Sequence, residues 1–206
     1  MAEAFAREVL QGLLAAHLEV DSSSTVFEQV PTGHFNTTYF VSGYRRPLVL
    51  RVAPPDDAGF VFYEKGMMAQ EPRIHDIVRR RTDAPVPEIL VYDDTRSLID
   101  RDFLIMERLP GRPLSHFTGD RAALDSILQQ VGRYLRQIHE ITAPQYGYLG
   151  EHNCMPPQRD WLSAFRWMWA AMAQDIARAG YYTAEEEQGV VALLERYAAR
   201  FDRPVT

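Results

Sequence analysis

The sequence predicts an α+β protein in which a small antiparallel sheet lobe is followed by a helical lobe. Three observations predict it. Five short runs rich in β-branched and aromatic residues fall within residues 26–107. After Pro113 the pattern changes to long helical periodicity. Between the two textures lies the breaker run Leu109-Pro110-Gly111. At 206 residues, 46% hydrophobic and 24% charged, the chain has the composition of a globular protein with one large domain or two small ones.

The elements follow in order. Phe5, Val9, Leu10, Leu13, Leu14 and Leu18 recur at helical spacing, so 3–19 reads as an amphipathic helix ended by Asp21-Ser22-Ser23-Ser24. Runs 26–30, Thr37–Ser42 and Leu48–Val52 are strands separated by turn residues at Pro31-Thr32-Gly33 and Ser42-Gly43. Their closeness predicts an antiparallel meander. Residues 58–81 read as one helical stretch, with Pro72 expected to kink or restart it because proline removes a backbone donor. Pro85-Val86-Pro87 forces an extended entry into a strand at 88–92, and Phe103–Glu107 is the fifth strand. Leu124, Ile127, Leu128, Val131, Leu135 and Ile138 share one face of a helix over 121–141. Residues 143–158, with Pro144, Pro156, Pro157 and glycines, form a loop. An aromatic-rich helix follows over 161–176. Thr183 with Glu186 is a capping-box signature for a last helix.

Composition also excludes. The formal charge of −6 argues against a nucleic-acid partner, and the one dense basic run, Arg79-Arg80-Arg81, suits a helix C-terminus. A single cysteine, Cys154, rules out an internal disulfide framework and a multi-cysteine metal site. No window approaches 18 uninterrupted apolar residues and the N-terminus lacks signal-peptide character, so no membrane partner and a cytoplasmic location are expected.

Candidate chemistry begins with Leu48–Val52. Leu48, Leu50 and Val52 share one face of this strand, and Val49 and Arg51 the other. A charge inside an apolar strand needs a partner. Glu71, twenty positions on, lies on the stripe Met67, Glu71, Ile74, Val78, so the two charges are expected to pair. Gly33 stands in a strand–turn–strand rather than a strand–turn–helix, which excludes the dinucleotide fingerprint. Asn36 tolerates left-handed geometry, and Thr32, His34 and Thr37 add donors suited to phosphate oxygens; an ordinary hairpin turn fits the same residues.

With these residues in place, the chain resembles the small-molecule kinase family that contains aminoglycoside phosphotransferases and choline kinases. The resemblance covers about residues 20–200. It implies an α+β, protein-kinase-like fold: a nucleotide-binding lobe at 1–106, a hinge at 107–113, and a partial helical lobe at 114–206 truncated before the catalytic loop. It places Gly33, His34 and Asn36 in a phosphate-covering loop and gives Arg51 the position of the usual lysine. Glu71 becomes its ion-pair glutamate, and Met106-Glu107-Arg108-Leu109-Pro110-Gly111 the hinge. By the same resemblance, ATP would lie between the lobes. Its adenine edge would meet the Glu107 carbonyl and Leu109 amide, with Met106 behind it and Val49 in the ceiling, and Arg51 would meet the α/β-phosphates. Arginine there replaces a point charge by a planar fork.

Phosphoryl transfer also needs an orienting carboxylate and magnesium ligands. The family takes these from a His-Gly-Asp-x-x-x-x-Asn loop and a later Asp-x-Asp, and neither is in this sequence. Asp100-Arg101-Asp102 reads as a solvated turn, His116-Phe117-Thr118-Gly119-Asp120 has the wrong spacing, and His139-Glu140 ends a helix. No catalytic or metal-binding residue is therefore assigned. The expectation is an ATP-dependent phosphotransferase for a small-molecule hydroxyl, present as a fragment that is inactive alone, with Mg2+ required only by the full-length enzyme. An exposed apolar surface on the helical lobe is expected to favour self-association. The alternative is a non-catalytic nucleotide-binding or scaffold protein with the same lobe.

Overall fold

Alternation along three consecutive runs builds the sheet that organises the first half of the chain. The computed structural model describes residues 4–21, 23–31, 35–56, 59–149 and 154–201. Helix α1 (Arg7–Ala15) precedes strands β1 (Val26–Gln29), β2 (Thr37–Ser42) and β3 (Leu48–Val52). Helix α2 (Glu71–Arg81) then leads to β4 (Ile89–Asp93) and β5 (Phe103–Glu107). All neighbouring strands are antiparallel, in the spatial order β1-β2-β3-β5-β4, so the last strand inserts between the third and fourth.

One sheet face packs on α1. Tyr39 and Val41 of β2, Leu48, Leu50 and Val52 of β3, and Phe103 and Ile105 of β5 form a single cluster with Leu10, Leu13 and Leu14. Burying each such aliphatic side chain contributes about 1.5–3 kcal/mol, so this face fixes the register: a one-residue slip would turn the set to solvent. Polar contacts pin the helix ends. The Phe5 amide donates to Tyr39 Oη at 2.9 Å, Arg7 Nη2 donates to the Thr25 carbonyl at 2.7 Å, and His17 Nε2 lies 2.9 Å from Asp93 Oδ2. The helix is shorter than its apolar spacing predicts. Leu18 packs against the core from beyond the helix end.

The single helix expected over 58–81 is not formed. A 3-10 turn, Met67–Gln70, follows Gly66 in the left-handed region at φ +64°, and α2 begins only at Glu71. Pro72 occupies the first turn, where its missing N–H costs nothing. Met67, placed on the inner stripe by its spacing, is exposed.

Contacts divide the chain into two compact units, residues 1–55 with 71–141, and residues 56–70 with 142–206. This division differs from the expected boundary at 107–113, because helix α3 (Arg121–His139) groups with the sheet. A reciprocal pair ties it to the end of α2. The Asp83 amide donates to Gln137 Oε1 at 2.8 Å, and Gln137 Nε2 donates to Asp83 Oδ2 at 3.0 Å.

In the second unit, α4 (Trp161–Arg178) is capped by Asp160 and α5 (Ala184–Tyr197) by the predicted Thr183–Glu186 box. The aromatic stripe of α4 is structural. Trp169 Nε1 donates to the Val190 carbonyl at 2.8 Å, Phe165 stacks on Phe201 with centroids 5.2 Å apart, and Arg166 grips Glu195 through two 2.7 Å bonds. Among the described residues no helix is long and apolar enough to cross a membrane.

Candidate functional site

The second face of the sheet carries the candidate site, and strand register assembles it. Val49 stands opposite Phe40 on one side and Met106 on the other, while Arg51 stands between Thr38 and Leu104. Successive side chains alternate, so Phe40, Val49 and Met106 form one transverse row and Thr38, Arg51 and Leu104 the next, both on the face away from α1. Val49 and Leu104 are buried at 7% and 0% exposure, which gives this face an apolar floor beside one cation.

That cation is paired. Arg51 Nη1 donates to Glu71 Oε2 at 2.6 Å, with both side chains about four-fifths buried, at 23% and 18% exposure. Glu71 holds its place by opening α2, where a carboxylate suits the helix N-terminus and Pro72 fixes the turn. The other guanidinium donors of Arg51 have no partner among the described residues. The site therefore offers a positioned, partly desolvated fork with N–H groups to spare, a geometry suited to a phosphate.

The chain leaving β5 supplies a second feature. The Glu107 amide donates to the Glu88 carbonyl at 2.9 Å and the Arg108 amide to the Pro47 carbonyl at 3.0 Å. The Leu109 amide has no partner among the described residues. The Glu107 carboxylate is engaged away from the row, accepting from the Glu88 amide at 3.3 Å with Arg79 Nη1 3.9 Å away. Glu88 in turn pairs with Arg46 at 2.9 Å, which holds the Glu88 carboxyl below its usual range and raises Arg46.

Of the residues expected at the site, Val49, Arg51 and Met106 share one sheet face, Glu71 meets Arg51, and Glu107 and Leu109 follow along β5 and its exit. Asn36 lies just before β2, partly buried. Gly33 and His34 lie outside the described residues. The solvated reading of Asp100-Arg101-Asp102 is corrected at Asp102. This residue is buried, accepts from Arg96 Nε at 2.8 Å, and receives the Ala53 amide at 2.9 Å on its carbonyl, so it locks a turn. One feature was not predicted at all. The Arg108 guanidinium lies 3.6 Å from the centre of the Phe40 ring. Only the β2–β3–β5 order brings the two near each other, and no local pattern signals it.

A nucleotide fits this donor set through the remaining Arg51 donors and the Leu109 amide, which have no other partner among the described residues. Among the described residues no three His, Cys, Asp or Glu side chains converge.

A sequence model of the phosphotransferase enzyme family matches residues 26–205. No curated protein matches the sequence. Among solved structures, a candidate aminoglycoside phosphotransferase from Ralstonia eutropha JMP134 is similar at 26% identity and a TM-score of 0.50, over 67% of this chain and 39% of that one. A thermostable mutant of aminoglycoside phosphotransferase APH(4)-Ia, solved with AMP-PNP and hygromycin B, aligns at 16% identity and a TM-score of 0.57, over 94% of this chain and 60% of that one. Choline kinase from Cryptosporidium parvum Iowa II aligns at 15% identity and a TM-score of 0.54, over 93% and 50%. The chain thus spans less than two thirds of each solved relative.

Proposed function

The chain belongs to the phosphotransferase enzyme family, and from that premise we propose that it carries the nucleotide-binding part of an ATP-dependent phosphotransferase acting on a small-molecule hydroxyl. The observation that carries the reading is the Arg51–Glu71 pair at 2.6 Å, on the sheet face that also holds Val49 and Met106. In this reading the base lies against Val49 and Met106 with its edge toward the Glu107 carbonyl and the Leu109 amide. Arg51, aimed by Glu71, takes the α/β-phosphates, and Gly33, His34 and Asn36 cover them. The solved relative bound to AMP-PNP and hygromycin B supports a nucleotide and a small polar acceptor as the two ligands.

Residues 1–206 bind nucleotide in this proposal without transferring phosphoryl, because no motif in the sequence has the spacing of a base and its magnesium ligands. Loss of a positioned base alone costs about 10²–10⁴ in rate. The functional division into a nucleotide lobe at 1–106, a hinge at 107–113 and a helical lobe at 114–206 belongs to the same proposal, as does a cytoplasmic location.

Titration calorimetry with ATP and with adenosine tests it. The chain should bind both, and Arg51→Ala should weaken ATP about tenfold or more while leaving adenosine unchanged, since one charge-assisted contact is worth about 1.5–3 kcal/mol. No ATP binding by the unmodified chain overturns the proposal. Steady ATP-dependent phosphorylation of an aminoglycoside or amino alcohol by residues 1–206 overturns the claim of inactivity.

A further inference from the structure

Among the described residues Arg108 is an exposed cation that finds no carboxylate. Its backbone amide is committed to Pro47, but among the described residues its guanidinium has no hydrogen-bond or ion-pair partner. It lies instead 3.6 Å from the centre of the Phe40 ring. An unpaired surface arginine ordinarily extends into water. Here, by alternation along β5 and its continuation, Arg108 issues on the same side as Met106, and Phe40 is the next member of the row Phe40–Val49–Met106. The guanidinium is thus folded onto the outer end of that row, one residue before the unpartnered Leu109 amide. A planar cation with one face on a phenyl ring leaves its other face and its in-plane donors available.

We propose that Arg108, seated over the Phe40 ring, is a nucleotide-contacting residue that recognises the base rather than the phosphates. The inference rests on the nucleotide-binding reading above and adds a residue to it. Val49 and Met106 supply the apolar floor, and the Phe40–Arg108 stack supplies a cationic π surface at its outer border. A heteroaromatic base meets that surface by stacking, which depends on guanidinium planarity and not on net charge alone. Lysine, a point charge, cannot reproduce it.

Calorimetry with adenosine and ATP on the full 206-residue chain separates the possibilities. Arg108→Ala should weaken both ligands by the same factor, about five- to tenfold, the size of a partly desolvated cation–π contact. Arg108→Lys should recover less than half of that loss. Phe40→Leu should cost a similar factor, and adding Arg108→Ala to it should cost little more, because the two act as one unit. Arg108 is exposed, so its variants should keep the thermal midpoint of the unmodified chain; Phe40→Leu counts only if its midpoint is also kept. A loss confined to ATP overturns the proposal by making Arg108 a phosphate contact. Unchanged affinities for both ligands, or full rescue by lysine, also overturn it. If the unmodified chain binds neither ligand, this proposal and the nucleotide reading fall together; if it binds both and Arg108→Ala is silent, only this proposal falls.

Discussion

Arg51 uses one guanidinium nitrogen to hold Glu71, and its other donors have no partner among the described residues; in the proposed reading they meet the phosphates as a planar fork, where a lysine would offer a point charge. Arg51→Lys should therefore fold with a near-normal melting midpoint yet bind ATP more weakly than the unmodified chain and more tightly than Arg51→Ala. Equal ATP affinities for the lysine variant and the unmodified chain would show that only charge matters there. The pair was legible in the sequence because strand alternation turned Arg51 inward and an acid stood on the next inward-facing stretch. Asp93 was not legible. It closes β4, is buried, and is held below the ordinary carboxylate range first by the Thr95 hydroxyl, then by the Thr95 amide and His17. A carboxyl depressed by folding adds stability that is full above its unfolded pKa and is lost as pH falls through the folded value. Denaturation of the unmodified chain and of Asp93→Asn should accordingly differ most near neutrality and converge in acid, below the usual aspartate range. Parallel pH profiles for the two proteins would remove Asp93 from the acid response. The Thr95 and His17 contacts that make the group special come from two, and from seventy-six, positions away, and only the nearer had any local signature.

Elements with a chemical stop signal were read closely, and those defined by periodicity alone were not. Strands β2, β3 and β5 have the predicted bounds because turn residues flank alternating runs. The α5 cap is formed as predicted: Thr183 Oγ1 accepts from the Glu186 amide, and Glu186 Oε2 accepts from the Thr183 amide at 2.8 Å. Thr183→Ala should destabilise the second unit by about 1 kcal/mol, the usual worth of an N-cap side chain, with faster amide exchange confined to the first turn of α5. No change in exchange there would mean that packing, not the cap, holds that end. The stretch 58–81 was misread because apolar spacing continues across Gly66, whose left-handed backbone interrupts the helix without disturbing the pattern. Pro72 then marks a beginning and not a kink. Pro72→Ala should shift stability by less than about 1 kcal/mol, since no intrahelical bond is missing at a first-turn proline. A proline at Ile74, inside α2, should cost about 3 kcal/mol or more. Comparable losses for the two variants would restore the continuous helix.

The scale of the whole molecule is where alternation and caps say least, because strand order and helix partners are set by distant parts of the chain. The insertion of β5 between β3 and β4, which creates both the Val49–Met106 row and the Phe40–Arg108 contact, follows from no local signal. The apolar face of α3 was legible as a face but not by what covers it. Leu128, Val131 and Leu135 are 48%, 50% and 48% exposed, and none of the 19 residues of this helix is buried. Leu124, Leu128, Val131, Leu135 and Ile138 alternate in steps of four and three, the spacing of a seam that two helices can share. An apolar stripe left open on a 19-residue helix favours association, and the partner always at hand in a purified sample is a second copy of the chain. Sedimentation velocity should therefore show a mass that rises above the monomer with concentration. The triple variant Leu128→Gln, Val131→Gln, Leu135→Gln should stay monomeric at the same concentrations. Because all three side chains are half exposed, the variant should keep its helical circular dichroism and its ATP affinity, which separates loss of the seam from loss of the fold. An unmodified chain that remains a single monomeric species across the whole range would show that the stripe drives no association, and the apolar spacing of α3 would then be a property of one copy alone.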